Sequence, residues 1–421
     1  MGTLMSNKLS RIESMEVNII TTTEYYELIK ESQQSKNFIG LVGKNLTKVK
    51  FEKKYLGTHN LNLSQTILSG LNLSEFNFGA AILDEANLDN CDFYLAELSQ
   101  VKFKNASLKN VDLRKAKLYE ADLTGANLTG ADLSYCDLRN ADLSGANLSN
   151  AKLIGANLAM ACLKKANFKN ADLTKANLRS DTPEKKYSHN NHQYNFIDLK
   201  DAIFEGAILK GTLYDEHTRF PVEFDPQAAG AYLIAPGVSL EKADLSNTDL
   251  SGANLAGANL SQANFTGANL RQTNLSGANL SQAKIIIKAP ETARLRYYIA
   301  GIKLEQANLD RATLIGFYPQ NSCTYLKGAN FQQAMFSDVS FEYAELTGAN
   351  FSNLNLNGVN FKNAKLTGAD FSNCSLRGAS FYGATLHGVN FKGADLSGVT
   401  FREYQIKDAI LPDDFNLEQV T

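Results

Sequence analysis

Histidines are the first candidates for chemistry in this chain, because His is a common metal ligand and general base. His189 and His192 stand three positions apart in the segment SHNNHQY, a spacing at which two imidazoles can share a metal ion. No Cys or Asp is fixed beside them by a pattern, and two histidines in a polar segment are usually solvated. His217 has acidic neighbours in DEHTRF but no nucleophile. We therefore predict no metal site, no cofactor and no catalytic residue.

Aspartate and asparagine recur so often that they resemble paired carboxylates. Within 121–150, which is written ADLTGANLTGADLSYCDLRNADLSGANLSN, one of them precedes a Leu every five residues. Short polar side chains of this kind form hydrogen bonds to the nearby backbone at turns. We interpret them as structural residues rather than as acids and bases.

The five cysteines follow the same five-residue spacing in part. Cys91, Cys136 and Cys374 each stand two positions before a Leu or Phe, where most repeats have a small residue. Free Cys behaves as a small hydrophobic residue in cores, so these three are expected to point inward. Cys162 is expected to point outward, and Cys323 lies outside the repeats.

The Leu or Phe that follows the Asp or Asn is the centre of each repeat. Centres recur every five residues over Leu63–Leu178, Leu199–Tyr214, Leu240–Ile285, Leu304–Leu314 and Leu326–Leu411. Five residues advance an α-helix by about 500°, and an odd period on a flat strand alternates faces. Either element would expose half of the centres. The chain must instead turn at a fixed angle every five residues, with the centre and the small residue two before it pointing inward.

The last block of repeats indicates how many sides a turn of the chain has. From position 331 onward every second centre is Phe. If the coils stack centre above centre, an even number of sides places Phe on Phe, and four sides give twenty residues per coil. The predicted core ladder comprises Phe341, Phe361, Phe381 and Phe401 on one side and Leu346, Leu366 and Leu386 on the next. All seven prolines lie outside the repeats, as expected if the repeats need their backbone N–H groups.

The unit A(D/N)LxG, as in 121–125 and 253–257, resembles the pentapeptide repeat family. This resemblance covers roughly 61–411 and implies an all-β fold, a right-handed quadrilateral β-helix. The segment LYDEHTRFPVEFDPQAAGA resembles a connecting segment of cyanobacterial members, which suggests a cyanobacterial source.

Segments that break the period define the remaining organisation. Residues 1–60 are predicted to form an N-terminal cap, with a helix over 23–35 and Thr22 or Thr23 as its N-cap. Residues 412–421 are a polar tail. Insertions are expected near 179–196, 215–237, 286–301 and 315–323, and insertions in solenoids usually form surface loops. They are either neutral or part of a binding surface.

The third insertion, IIKAPETARLRYYIAG, is the candidate partner-binding loop. Its basic and aromatic cluster comprises Arg294, Arg296, Tyr297 and Tyr298. Arg and Tyr are frequent hot-spot residues of protein interfaces. The alternative is a single helical turn that packs Leu295, Tyr298 and Ile299 against the coils.

Charge limits the functions that remain. The chain has 42 basic and 44 acidic residues, a formal charge of −2, so it has no strong field for nucleic acid or an anionic membrane. Some family members imitate DNA and bind a type II topoisomerase. Such imitation needs an acidic surface, yet 71–180 holds 13 acidic and 13 basic residues. That function stays an alternative to the favoured one, a non-catalytic protein-interaction scaffold.

The setting of the protein follows from two further observations. No apolar run is long enough for a transmembrane helix, and the first residues contain no apolar stretch typical of a secretory signal. We expect a cytoplasmic protein with an unidentified protein partner. The resemblance also allows a homodimer through a terminal coil.

Overall fold

The computed structural model describes residues 19–35, 41–51, 61–180, 196–286, 302–304, 306–310, 312–315, 325–337 and 339–415. The chain divides into two compact units. Unit 1 comprises Met1–Ser180 and Tyr187–Tyr232, and unit 2 comprises Asp181–Lys186 and Leu233–Thr421. Both units are built from the same five-residue element.

Each repeat ends in a tight turn. The N–H of Ala126 donates to the carbonyl of Leu123 at 3.0 Å and closes one such turn. The φ of Gly125 within it is +68°. A type II turn requires a positive φ at its third residue, which favours Gly and Asn there. The second turn residue of each repeat is therefore a left-handed position.

Parallel bridges join each repeat to the repeat that lies twenty residues further along the chain. The first four in the regular part of unit 1 are Asn62–Ile82, Ile67–Asn87, Asn72–Asp92 and Asn77–Glu97. Unit 2 has the same spacing, as in Asp244–Asn264. Four bridges therefore occur for every twenty residues, which we call a coil. Residues in equivalent positions of successive coils form a column.

The centres and the small residues before them form the core. Leu143 and Ala141 are fully buried, whereas Asp142 between them is partly exposed. This burial agrees with the inward orientation that the five-residue period predicts. Small and large residues thus alternate inside each coil, a combination that fills a narrow core.

Extended strands occur where the regular period is interrupted. In chain order they are β1 Asn177–Leu178, β2 Ile197–Asp198, β3 Leu213–Tyr214, β4 Thr218–Arg219, β5 Tyr232–Leu233, β6 Lys284–Ile286, β7 Thr313–Ile315 and β8 Met335–Ser337. They form three small parallel sheets with the orders β1-β3-β5, β2-β4 and β6-β7-β8.

Bridge separations measure the length of each insertion. Asn167 pairs with Ile203, 36 positions later instead of 20, so the first insertion adds 16 residues. Asn279 pairs with Asn308, 29 positions later, so the third insertion adds nine. Asn308 pairs with Asn330, 22 positions later, so the fourth insertion adds only two.

The third and fourth insertions leave unit 2 at equivalent positions. β6 pairs in register with β7, so that Ile286 stands opposite Ile315. The third insertion follows Ile286 and the fourth follows Ile315. The two insertions therefore begin in the same column, one coil apart.

Residues 215–232 of the insertion predicted near 215–237 form a degenerate coil instead of a loop. Its strand β4 pairs in parallel with β2, with Thr218 opposite Ile197, 21 positions earlier. The N–H of Tyr232 donates to the carbonyl of Thr212 at 2.7 Å. Phe224 stacks on Phe204 at a centroid distance of 4.7 Å. The five-residue pattern does not reveal this coil because 215–232 contains no Leu.

Helix α1 spans Thr22–Ser35 near the start of unit 1. Its N-cap is Thr21, one residue before the predicted Thr22 or Thr23. Thr21 Oγ1 accepts from the N–H of Glu24 at 3.3 Å, and a Glu24 carboxylate oxygen accepts from the N–H of Thr21 at 2.6 Å. This reciprocal pair is a capping box. Tyr25 of α1 is buried and its ring contacts Phe51 edge to face at 5.0 Å.

A second, unpredicted helix interrupts the last repeats of unit 2. Helix α2 spans Glu403–Ile406, where the sequence analysis placed a repeat centred on Ile406. The buried Gln405 side-chain amide donates to the carbonyls of Phe381 and Ala384 at 3.0 and 2.9 Å. The backbone edge of an ended β-structure needs such partners, so α2 acts as a cap on this coil.

Candidate interaction surface

The carboxylates and amides before the centres are occupied by the backbone. Asp122 Oδ1 accepts from the N–H of Thr124 at 3.0 Å, and Asn127 Oδ1 accepts from the N–H of Thr129 at 3.2 Å. The same contact, from the residue two positions later, recurs along both units. The prediction that these residues are structural is confirmed.

Three cysteines are core residues, as predicted. Cys91, Cys136 and Cys374 are buried, and each thiol lies within hydrogen-bonding distance of a backbone carbonyl. Burial raises the pKa of Cys91 and of Cys374 to about 11. Burial raises the pKa of Cys136 as well. Because the thiolate is the reactive form, burial and a raised pKa make these three thiols poor nucleophiles near neutral pH.

The histidines give no metal centre in the part of the chain that the structure covers. Among the described residues, no group of three or more His, Cys, Asp or Glu side chains could hold a metal ion. His217 donates its backbone N–H to Asp215 at 3.0 Å. His189 and His192 lie outside the described residues.

The candidate loop of the third insertion also lies outside the described residues. This applies to Arg294, Arg296, Tyr297 and Tyr298 alike. Its partner-binding role stays a prediction. The same holds for the alternative in which the segment packs as one helical turn.

The predicted core ladder lies inside unit 2. Phe341 stacks on Phe361 at 5.3 Å and 10°, and Phe361 stacks on Phe381 at 5.1 Å and 5°. Phe381 stacks on Phe401 at 5.8 Å. A second column of stacked rings holds Phe331, Phe351, Phe371 and Phe391. Leu346, Leu366 and Leu386 are buried. These residues stabilise the core and are not available to a partner.

A buried polar cluster marks the start of the first insertion. Arg179 and Ser180 are fully buried, although the sequence analysis assigned them to a loop. The Ser180 hydroxyl donates to the Asp215 carboxylate at 2.9 Å, and Thr218 donates to the carbonyl of Leu178 at 2.7 Å. Buried polar groups require partners of this kind. The cluster therefore joins the coil of β1 to the degenerate coil that follows it.

Within the regular coils at 61–180, the exposed large apolar side chains lie on one column, whereas Ile203 and Ile208 are exposed on other columns later in unit 1. Leu95 is 46% exposed and Tyr135 is 54% exposed. Lys115 lies between them on the same column. The N–H of Leu95 donates to the carbonyl of the residue before Lys115, and the N–H of Lys115 donates to the carbonyl of the residue before Tyr135. We call the column position of Leu95, Lys115 and Tyr135 the apolar edge.

The apolar edge lies on a strained part of the backbone. Leu95 has φ +57° and Tyr135 has φ +60°. A left-handed conformation costs an L-residue other than Gly about 1–2 kcal/mol. The regular repeats share this conformation, as at Lys115 and Glu120, so what distinguishes the edge is the apolar side chains at these positions. Leu95 and Tyr135 contribute neither a favourable turn nor a polar surface, so the edge is the strongest candidate site in unit 1.

Neighbouring residues restrict the side chains at and beside the apolar edge. The Tyr135 ring lies against the backbone of Gly155, where an added Cβ would be 2.7 Å from two ring carbons. The Arg114 guanidinium lies over the Tyr94 ring at 5.5 Å and donates to Asp112. The same hydrogen bond from Arg114 lowers the pKa of Asp112. The edge is therefore flanked by side chains that are already held in place.

A smaller patch with similar chemistry lies in unit 2. Tyr382 is 59% exposed and lies between two cations in one column. Lys362 Nζ is 5.8 Å and the Arg402 guanidinium 5.6 Å from the centre of its ring. Tyr404 of α2 is exposed nearby in the sequence. Neither this patch nor the apolar edge was predicted, because a five-residue period identifies inward residues and treats all outward ones alike.

Two family models match the chain. The model described as pentapeptide repeats matches 59–94, 96–134, 131–170, 155–180 and 237–283. The model described as a pentapeptide repeat region matches 326–411. Together they cover more than half of the chain. None of the curated proteins matches it significantly.

Several solved structures resemble the chain. HetL, a pentapeptide repeat protein involved in heterocyst differentiation regulation from the cyanobacterium Nostoc sp. strain PCC 7120, is 23% identical, with 78% of this chain and 88% of that chain covered and a TM-score of 0.18. Another pentapeptide repeat protein of Nostoc PCC 7120 is 35% identical over 29% of this chain and 84% of its own, with a TM-score of 0.17. Trypsin-treated QnrB1, a plasmid-mediated fluoroquinolone resistance protein, is 17% identical over 73% of this chain and 92% of its own, with a TM-score of 0.18. TM-scores this low say nothing about how the coils are arranged.

No helix among the described residues is both long enough and apolar enough to cross a membrane.

Proposed function

The chain belongs to the pentapeptide repeat family, and from that premise we propose that it is a non-catalytic scaffold that binds a protein partner. The observation that carries this proposal is the apolar edge. Leu95 and Tyr135 are exposed apolar residues in left-handed turn positions, where Gly or Asn would be more stable and more soluble. A binding role explains why such residues stand there.

The non-catalytic part of the proposal rests on the use of the reactive side chains. The described Asp and Asn residues before the centres accept backbone hydrogen bonds, and the buried thiols have raised pKa values. What remains on the described surface is hydrogen-bonding, charged and apolar contact area. Such a surface suits recognition better than bond-making.

We further infer that each coil closes into four sides. Four bridges per twenty residues support this arrangement, as do the two alternating columns of stacked Phe rings in unit 2. A four-sided coil places all residues of one column on the same wall. The apolar edge then belongs to a single wall, where a partner can contact Leu95 and Tyr135 together.

Charge speaks against the alternative of DNA imitation. The column that precedes the edge has Asp92, Asp112 and Asp132, but Lys152 follows them. Arg114 lies beside Asp112 and neutralises it in an ion pair. A DNA-like surface needs a continuous series of unpaired negative charges. Binding of a type II topoisomerase in this manner is therefore the weaker proposal.

Two other predicted contacts stay open as proposals. The third insertion, with Arg294 and Tyr298, would offer a second binding surface. A homodimer would use a terminal coil. Neither depends on the apolar edge.

Photo-crosslinking tests the scaffold proposal. The photoreactive residue p-benzoylphenylalanine replaces Tyr135 or Tyr382 in the full chain, and Lys104, exposed on another column, is the control position. After irradiation in a lysate of the source organism, we expect a discrete adduct from Tyr135 that is absent from Lys104. The adduct should disappear when Leu95 is replaced by Asn. Equal labelling from all three positions, or none from Tyr135 and Tyr382, would refute the proposal.

A further inference from the structure

The apolar edge alternates apolar and charged side chains from one coil to the next. Leu95, Lys115 and Tyr135 occupy the same position in three successive coils. Strands joined by backbone hydrogen bonds lie about 4.8 Å apart. The edge therefore presents an apolar side chain, a cation and a second apolar side chain at intervals of about 4.8 Å.

Lys115 is a cation without a carboxylate partner. It makes no ion pair with any described carboxylate, and its Nζ lies 5.8 Å from the Tyr94 ring. Arg114 beside it is neutralised by Asp112, with Arg114 Nη2 at 2.5 Å from Asp112 Oδ2. The edge thus carries one uncompensated positive charge at its middle. A carboxylate of a partner would complement that charge between two apolar contacts.

The spacing of the edge distinguishes between partner elements. Alternate side chains on one face of a β-strand are about 6.6 Å apart. Along an α-helix, residues i, i+3 and i+7 rise by about 4.5 and 10.5 Å. The backbone positions of the edge lie about 4.8 and 9.6 Å from the first, so they match the backbone positions of a helix that runs along the column to within about 1 Å.

We propose that the apolar edge docks an amphipathic helix of another protein, with apolar residues at i and i+7 and an acidic residue at i+3. The apolar residues contact Leu95 and Tyr135, and the acidic residue pairs with Lys115. This proposal rests on the scaffold function above and names the chemistry of its partner. It makes a specific prediction about charge, which a nonspecific hydrophobic patch would not.

The test uses a designed helical peptide. The probe is a fluorescein-labelled, alanine-rich peptide of about 18 residues, long enough to form a helix in water, with Leu, Glu and Leu at i, i+3 and i+7. Fluorescence anisotropy measures its affinity for the full chain. Two companion peptides carry Lys in place of the Glu, or a central Pro that breaks the helix.

A charge exchange gives the decisive result. We expect Lys115→Glu to lower the affinity for the Glu peptide about fivefold and to raise the affinity for the Lys peptide by a similar factor. The reason is that the substitution turns attraction into repulsion for the first peptide and the reverse for the second. Lys104→Glu, on another column, is the matched control and should change neither affinity. Binding that is equal for the Glu and Lys peptides, or for the helical and Pro peptides, would overturn the proposal.

A second pair of variants tests the position of the Tyr135 ring without reversing a charge. Asn tolerates the left-handed conformation of Gly155 and Gly145. A side chain at Gly155 meets the Tyr135 ring, whereas nothing lies within 4 Å at Gly145. Gly155→Asn should therefore displace the ring and lower the affinity for the Glu peptide, whereas Gly145→Asn should leave both unchanged. Equal affinities in both variants would contradict the proposed contact with Tyr135.

The two proposals fail in different ways. A crosslinked adduct from Tyr135 together with no specific peptide binding would leave the scaffold function standing and eliminate the helical partner. The absence of both would eliminate both. Circular dichroism and thermal unfolding of each variant exclude loss of folding as the cause.

Discussion

Cysteine and glycine positions in this chain follow from the turn of each repeat rather than from chemistry. The small inward position accepts Cys136 because its thiol can donate to the carbonyl of Leu113. The left-handed position accepts Gly125 because Gly has no Cβ to strain. The five-residue period predicts the inward position of Cys136, whereas the left-handed conformation of Gly125 is seen only in the structure.

Thiol labelling tests the assignment of the cysteines. Cys162 is partly exposed and its thiol lies 3.0 Å from the Ser144 hydroxyl. With Ellman's reagent at pH 8, we expect Cys162 to react in the folded protein and Cys91, Cys136 and Cys374 to react only after unfolding. The buried thiols are protected because the reagent cannot reach them and because burial raises the pKa of each further above that pH. Mass spectrometry of labelled peptides identifies the sites, and rapid labelling of Cys136 in the folded chain would contradict the assignment.

The sequence could not predict the apolar edge at the scale of residues. Leu95 and Tyr135 occupy the second turn position, which most other repeats fill with Asn, Gly, Gln, Lys or Glu. A signal was present, since neither Leu nor Tyr suits a positive φ. It becomes visible only when the column is known, because the two residues are 40 positions apart in the sequence but two coils apart in space.

At the scale of elements, departures from the period proved more informative than the period itself. Helix α2 replaces a predicted repeat because Tyr404 stands where a small inward residue is required, and it is 68% exposed. Phe220 and Phe224 similarly mark the coil at 215–232, which the sequence analysis interpreted as a loop. In both places a large side chain in the wrong position indicated a different backbone.

Gln405 of α2 provides a test of the capping role. Gln405→Leu removes the amide that donates to Phe381 and Ala384, and the loss of a buried hydrogen-bonding partner costs about 1–3 kcal/mol. We expect faster hydrogen exchange over the repeats around 381–401 and little change in unit 1. Tyr404→Ser, in an exposed position of the same helix, is the matched control. Unchanged exchange in the Gln405 variant would show that α2 is not a cap.

At the scale of the whole molecule, stability should be close to a sum over coils. Each regular repeat bonds to the repeats twenty residues before and after it, as in other solenoids with nearest-neighbour contacts. The five-residue period predicted this organisation, including the spacing that four sides require. The bounds and lengths of the insertions could not be predicted, because a break in a pattern does not reveal where the pattern resumes in space. The fourth insertion, with only two additional residues, illustrates this limit.

Removal of a coil tests the additive organisation. Deletion of 141–160 removes twenty residues, so Asp122 can pair with Cys162 in place of Asp142. We expect the full chain to retain its circular dichroism spectrum, with a lower urea m-value because less surface is exposed on unfolding. Deletion of 143–160 removes eighteen residues and is the control, since it shifts the later residues out of register and turns polar side chains inward. Equal stability of the two variants would contradict a fixed five-residue side.

The column geometry also makes unit 1 a graduated ruler. Each coil adds one step of about 4.8 Å along a column. An insertion does not change this step, because Asn167 and Ile203 pair across 36 residues just as Asn147 and Asn167 pair across 20. Two side chains on one column are thus separated by a whole number of coil spacings. Leu95 and Tyr135 are two coil spacings apart, and a partner that contacts both must present its own side chains at that distance.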